Sequence, residues 1–325
     1  MLKNKRIVVT GATGFIGANI IRHFLKKGAR ISAFFLSDDD KWRIKDISKD
    51  ISEYPVNLLE RAELEDAISQ IKPQIVFHTA AYGGHVFQKD TDKIMKTNFL
   101  GTVNLLKACN NADFELFVNT GSSSEYGVKS HPMKEDDSPQ PVTDYGISKL
   151  AATLYCQAVA RSENKPIVTL RLFSPYGYYD EQTRLIPSII ISCLKGRNPE
   201  VLAPDCVRDF IFIEDVIDAY IKVTENKDRV KGEILNVGFG KQCSVAKTVG
   251  EIIKFTKNVS KLQRGKSPNH RVEPKVWQAD ISKAERLLNW KPKYDLGKGL
   301  KKTIDWFQEN SSLYEKELVS KKDKL

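Results

Sequence analysis

The sequence has little that would brace a chain from outside a core. Its five cysteines among 325 residues (Cys109, Cys156, Cys193, Cys206 and Cys243) are scattered and never form C-x-x-C. That spacing argues against a disulfide framework and a zinc cluster, and no metal is expected. No apolar run approaches the roughly 20 residues of a membrane-spanning helix. The first residues, MLKNKRIVVTGATG, lack the apolar stretch and small-residue cleavage site of a signal peptide, so a cytoplasmic protein is expected. Repeats and low-complexity linkers are missing too. What is present is a core-forming composition, with 41 % hydrophobic residues. The net charge is +10, with much of the excess in the last third, and 316–325 reads as a charged tail. No basic–aromatic interleaving accompanies that charge. Nucleic acid is therefore not an expected partner, whereas a positive cleft for an anionic substrate is.

The first half alternates apolar runs with helical patterns. RIVVT (6–10), RISAFFL (30–36), QIVFHTA (74–80), FELFVNT (114–120) and PIVTLRLF (166–173) read as strands. Helices are expected after the first glycine loop to about Lys27, then over 60–71, 91–111 and 143–163. This alternation predicts an α/β fold with a doubly wound parallel sheet. Beyond Phe173 prolines and short elements dominate, with helices near 183–195, 214–225, 244–256, 280–288 and 296–308. The expected division is a dinucleotide-binding Rossmann domain over 1–173 and a smaller mixed α/β substrate-binding lobe over 174–315, with some segments returning to the main sheet. The site is expected in the cleft between them.

TGATGFIG sets Gly11, Gly14 and Gly17 between the first strand and first helix. Gly11 allows the tight turn, Gly14 lets a pyrophosphate approach the helix N-terminus, and Gly17 allows close helix–sheet packing. An acid usually ends the second strand of an NAD-binding fold, where it takes the ribose 2′-hydroxyl. Phe35 stands there, followed by Leu36 and Ser37, with Lys41 and Arg43 further on. A hydroxyl at Ser37 and a cation at Arg43 suggest a 2′-phosphate, so NADP is the expected cofactor. NAD is the alternative if the strand runs on and Asp38 takes the ribose.

DYGISK places Tyr145 and Lys149 one turn apart on a helix face. An ammonium beside a phenol favours the phenolate, which can then exchange a proton with a substrate oxygen. Lys149 would also hold the nicotinamide ribose. TGSSSEYG (120–127) follows a buried strand, where open α/β sheets place their chemistry.

With these motifs the chain resembles the extended short-chain dehydrogenase/reductases that act on nucleotide sugars as epimerases, dehydratases or reductases. HTAA (78–81), TNFLGTVNLL (97–106), RDFIFIEDV (208–216), NVG (236–238) and ADISKAERLLNWKPKYDLGKGL (279–300) carry the resemblance across nearly the whole chain. The resemblance implies that Ser122, four residues before Tyr126, is the catalytic serine beside Tyr145 and Lys149. It implies cofactor contacts from Thr13, Phe15 and Ile16, from Asn57 and Leu58 at the adenine, and from Thr79, Ala80 and Ala81. Substrate contacts are implied for Ser123, Ser124, Ser174, Arg184, Arg208 and Arg271. His85 is a candidate lining residue or proton donor. Dehydratase-like members carry Asp and Glu where this chain has Ser123 and Ser124, and two hydroxyls do not replace a base that removes a carbon-bound proton. The expected activity is therefore NADP(H)-dependent reduction of the C4 keto group of a 4-keto-6-deoxy nucleotide sugar. The alternatives are an NAD-dependent 4-epimerase, then a 4,6-dehydratase, then a non-catalytic NAD(P)-binding regulator. A homodimer pairing 91–111 and 143–163 is expected from the resemblance.

Overall fold

The computed structural model describes residues 2–85, 87–110, 112–257, 262–265 and 274–314; Arg271 and the tail 316–325 lie outside them. The first half runs β1 (Arg6–Thr10), α1 (Phe15–Lys26), β2 (Arg30–Phe35), β3 (Ser52–Pro55), α2 (Arg61–Ile71), β4 (Ile75–His78), α3 (Thr91–Met95), α4 (Gly101–Asn110), β5 (Leu116–Ser122), α5 (Asp144–Ser162) and β6 (Ile167–Leu172). The rest runs β7 (Ser174–Tyr176), α6 (Leu185–Leu194), β8 (Glu200–Val201), β9 (Val207–Arg208), β10 (Phe210–Phe212), α7 (Ile213–Glu225), β11 (Ile234–Val237), β12 (Cys243–Ser244), α8 (Val245–Phe255), β13 (Gln263–Arg264), α9 (Ser282–Leu288) and α10 (Leu296–Glu309).

Seven strands form one parallel sheet in the order β11-β6-β5-β4-β1-β2-β3. The strand order reverses between β1 and β4, which opens a crevice beyond their carboxyl ends. Side chains alternate faces along each strand. Leu116, Val118, Val168 and Leu170 pack into the larger core with α1 and α7. Phe117 and Ile167 pack on the opposite face with Cys156, Val159 and Ala160 of α5. Burying both faces explains why these strands read as continuous apolar runs.

Beyond the strands after Phe173, among them β11 of the main sheet, the structure departs from the sequence reading at three places in the first half. The edge strand β3, SEYP, has no apolar run and ends in proline, so its pattern gave no strand signal. The helix expected over 91–111 is broken by a π turn at Lys96–Leu100 between α3 and α4. That turn carries Asn98 inward, where it accepts from the Tyr82 N–H (2.8 Å) and donates to Ser148 Oγ (2.9 Å) on α5. β4 stops at His78, because Thr79 turns its hydroxyl onto the Thr10 carbonyl (2.6 Å).

The first βα turn is the tightest junction. Gly11 has φ +63°, and a Cβ there would lie 2.7 Å from Ala80 N. A Cβ on Gly17 would overlap the Gly11 carbonyl oxygen. Gly11→Ala therefore adds left-handed strain of about 1–2 kcal/mol to a backbone clash. Urea unfolding should show a stability loss of at least that size, whereas an unchanged midpoint would contradict the packing.

Candidate functional site

The glycine loop presents backbone rather than side chains. Gly14 caps α1 without a side-chain hydrogen bond, so among the described residues no side chain occupies the N–H groups of Phe15, Ile16 and Gly17 at the helix start. An anion such as a pyrophosphate suits that terminus, and the bare glycine surface leaves room for it. Thr79 and Ala80 form the facing wall, with the Ala80 N–H on Thr10 Oγ1 at 3.3 Å. Ala81 is exposed at the rim. Thr13 turns its hydroxyl to Asp39 Oδ2 (3.0 Å), which also accepts from the Leu36 N–H (3.1 Å). That carboxylate bends the chain sharply after β2.

A cavity of about 800 Å³ opens beside this turn, lined by Ser37, Asp38, Asn57, Leu59, Lys93 and Lys96 among others. Asp38 reaches it from the turn rather than from a longer strand, since β2 ends at Phe35. The cations expected for a 2′-phosphate are committed elsewhere. Arg43 is 7 % exposed. Its guanidinium donates to the carbonyls of Tyr179 (2.7 Å) and Thr13 (3.2 Å) and pairs with Glu181 at 3.0 Å. Lys41 pairs with Glu53 on β3 at 2.6 Å. Arg43 is thus corrected from a cofactor contact to a tie between the glycine loop and the segment before α6. Leu58 is corrected as well, because its side chain is buried in the core below Gly101, and Leu59 lines the cavity. Asn57 Oδ1, expected at an adenine amino group, already accepts from the Leu59 N–H (3.0 Å).

Ser122, Tyr145 and Lys149 meet at the end of β5. Ser122 is its last residue, and Ser123–Glu125 form a 3₁₀ turn capped by the Ser122 hydroxyl. The capping residue Thr143 starts α5, accepting from the Gly146 N–H at 3.1 Å. A Cβ on Gly146 would come within 2.6 Å of the Ser124 carbonyl, so glycine lets the helix start against the serine turn. The Ser122 hydroxyl lies close enough to the Tyr145 phenol to favour its phenolate. Gly83 and Gly84 lie against the other side of that ring. Burial pushes the phenol above its ordinary pKa, opposed first by the Arg184 guanidinium and then by the Ser122 hydroxyl. Lys149, 2 % exposed, has its own pKa lowered by burial, an effect countered by Glu125.

Ser123 is buried in the turn and Ser124 half-buried. Glu125 faces inward, fully buried, with Oε1 on the Ser122 N–H (2.8 Å) and Oε2 on Arg171 Nε (2.7 Å). Neither Glu125 nor Arg171 was among the expected site residues. The signal was an arginine inside the apolar strand PIVTLRLF, since a buried cation needs a counter-charge. Arg184 stands at the start of α6, and its charge reaches both Tyr145 and Asp180. Ser174 begins β7, its N–H on the Asp209 carbonyl (3.0 Å). Arg208, on β9, donates to the Val207 carbonyl (2.7 Å) and lies over the Trp277 ring. His85 stacks on Phe87, and its N–H meets Gln88 Oε1 at 3.2 Å.

A parallel sheet of this order, with a glycine loop at its reversal and a serine, tyrosine and lysine at the end of β5, is the architecture of the extended short-chain dehydrogenase/reductases. The chain belongs to the NAD dependent epimerase/dehydratase family, which matches residues 7–238. It is similar to UDP-glucose 4-epimerase of Mycoplasma pneumoniae, at 27 % identity over 91 % of this chain and 94 % of that one. It is also similar to dTDP-4-dehydro-6-deoxyglucose reductase of Escherichia coli, at 26 % over 92 % and 96 %. The structure of UDP-glucuronic acid 4-epimerase from Bacillus cereus, in complex with UDP-glucuronic acid and NAD, superimposes with a TM-score of 0.83. That match has 28 % identity and covers 93 % of this chain and 99 % of the other. The protein is an NAD(P)-dependent enzyme of the nucleotide-sugar epimerase, dehydratase and reductase group.

Replacing Arg43 with Met tests its corrected role. The largely buried Glu181 carboxylate would lose this ion pair, and the unfolding free energy should fall by at most about 3–5 kcal/mol. The ratio of NADPH to NADH affinity should stay unchanged; a selective loss of NADPH binding would restore Arg43 as a phosphate ligand.

Proposed function

We propose that the protein is an NAD-dependent 4-epimerase of nucleotide sugars. The observation that carries this reading is the meeting of Ser122, Tyr145 and Lys149 at the end of β5, at a turn whose one carboxylate, Glu125, faces the core. The turn has a proton acceptor for a sugar hydroxyl but no carboxylate directed at a substrate carbon. This arrangement suits oxidation and reduction at C4 and disfavours elimination of water. NAD rather than NADP is supported by Asp38 in the cavity beside Asn57, and by the ion pairs that hold Arg43 and Lys41. The ketoreductase expected from the missing Asp–Glu pair shares the same serine, tyrosine and lysine, and the committed cations weigh against its NADP dependence.

In this reading NAD⁺ supplies the acceptor that takes the C4 hydride and gives it back. Tyr145 takes the proton from the C4 hydroxyl as the hydride leaves. Ser122 hydrogen-bonds the same oxygen and holds it as the carbonyl forms. Lys149 keeps positive charge beside the phenolate and binds the nicotinamide ribose. Gly83 and Gly84 place no side chain against the Tyr145 ring, and the ketosugar turns there to present its other face. Tyr145 then returns its proton to the oxygen, so each turnover leaves Tyr145 and the cofactor as they began. Arg184, Arg208 and Arg271 are proposed for the substrate pyrophosphate, where guanidinium groups make bidentate contacts. Ser123, Ser124, Ser174 and His85 are proposed for the sugar.

UDP-glucose, UDP-glucuronic acid and a dTDP-4-keto-6-deoxyhexose with NADPH form a decisive panel. Proton NMR should show inversion at C4 of a UDP-sugar with no net change in reduced nicotinamide. Stoichiometric oxidation of NADPH by the keto sugar would replace this reading with the ketoreductase. Tyr145→Phe should lower kcat by about a hundredfold or more while leaving NAD⁺ affinity little changed.

A homodimer is part of the proposal, supported by the exposed apolar side chains Leu100 of the π turn and Ile147 and Leu154 of α5. Light scattering at micromolar concentration should give about twice the 36.8 kDa chain mass; a single-chain mass would refute it.

A further inference from the structure

Behind Tyr145 and Lys149 lies a cluster of buried polar groups that the reaction as described does not use. Residues that alternate with Phe117 and Ile167 on β5 and β6 face α5, as those two do. On that face the strands change from apolar to polar toward their carboxyl ends, giving Asn119 and Gly121 opposite Thr169 and Arg171. Lys149, Thr153 and Cys156 look back from α5, one turn apart. Gly121 lets Glu125 pack this closely, since a Cβ there would lie 2.7 Å from Glu125 Oε1. Three buried polar atoms around it, Asn119 Oδ1, Thr153 Oγ1 and Arg171 Nη1, have no hydrogen-bond partner among the described residues. Orphans clustered like this are the usual seat of internal water.

We propose that Glu125 is a positioning residue for the catalytic pair, holding the Ser122 backbone and supplying the negative charge against which the Lys149 ammonium is kept in the interior. The inference rests on Tyr145 and Lys149 acting as described above. Glu125 bonds the Ser122 N–H directly, so it fixes the serine that touches Tyr145. Its charge acts on both members of the pair, opposing the phenolate and favouring the ammonium. The other groups that face the pair keep one charge through the working range. His78 on β4 is pushed down to about 3 and Cys156 up to about 12, both by burial, so both stay neutral. Arg184 and Arg171 stay positive. Arg171 anchors the carboxylate through its Nε at 2.7 Å.

The sign of the effect is fixed by that geometry. Without the Glu125 charge, Tyr145 loses its proton at lower pH, and so does Lys149. The rising limb of kcat against pH, set by the phenolate, and the falling limb, set by the ammonium, then both move toward acid. Glu125→Gln is the direct variant, and Glu125→Met combined with Arg171→Met removes the pair without stranding a charge. The bell-shaped profile should move as a whole to lower pH in Glu125→Gln and less far in the double variant, where two opposite charges leave together, and Glu125→Asp should bring it back toward wild type. A bell that keeps its position and loses only height, while Tyr145→Phe is inactive, would reduce Glu125 to a structural residue and overturn the inference alone. Full activity in Tyr145→Phe would overturn it together with the catalytic reading on which it rests.

Discussion

Two opposite charges out of contact with water, on Glu125 and Arg171, lie under the end of β5, and much of the site is arranged around them. A buried pair of this kind persists only when its remaining lone pairs and protons find partners. The Ser122 N–H takes one carboxylate oxygen, and Arg171 stacks over the Tyr126 ring at 4.4 Å. Tyr126 in turn donates to Asn236 Oδ1 (2.7 Å) on β11, and Asn236 Nδ2 donates to the Met133 and Asp280 carbonyls. The serine turn is thereby fixed to the far edge of the sheet and to the chain entering α9. Its position depends on tertiary contacts as much as on the local 3₁₀ geometry.

On the cofactor side the same role falls to a strap between β7 and α6. Three successive carbonyls in it are gripped by side chains from outside: Tyr178 by Asn19 on α1 (2.9 Å), Tyr179 by Arg43 (2.7 Å) and Asp180 by the Tyr314 hydroxyl (3.0 Å). Tyr179 adopts φ +63°, a left-handed conformation that a non-glycine residue holds only when its surroundings impose it. The strap ends at Arg184, whose charge reaches Tyr145. One continuous set of contacts therefore runs from the helix start that suits a pyrophosphate to the cation nearest in effect to the phenol.

The parallel sheet, the glycine loop and the Tyr–Lys spacing were legible because each is written in consecutive residues. Local sterics, apolar runs and one-turn offsets need no knowledge of distant partners. Arg43 was misread for the opposite reason, since its partner Glu181 is 138 residues away and no local pattern announces it. Arg171 and Glu125, 46 residues apart, escaped in the same way. Leu58 and Leu59 illustrate a finer limit. Adjacent residues face different surroundings, and composition does not say which one turns to the core. The strand SEYP shows that an edge position between two turns can be set by pairing with β2 alone.

The π turn at Lys96–Leu100 holds one residue more than a regular helix would over the same rise. Residues before it include Ile94, packed beside Gly83; residues after it include Thr102, which accepts from His78 Nε2 at 2.8 Å and donates to the Asn98 carbonyl. Each α-helical residue turns the chain by about 100°. Deleting a single residue here would restore a regular helix and swing one half by that angle relative to the other. Either the loop beside Tyr145 or the buried histidine of β4 would lose its contact. In this stretch chain length is constrained as tightly as residue identity, so substitutions on the exposed side of the bulge are mild changes and one-residue deletions are severe ones.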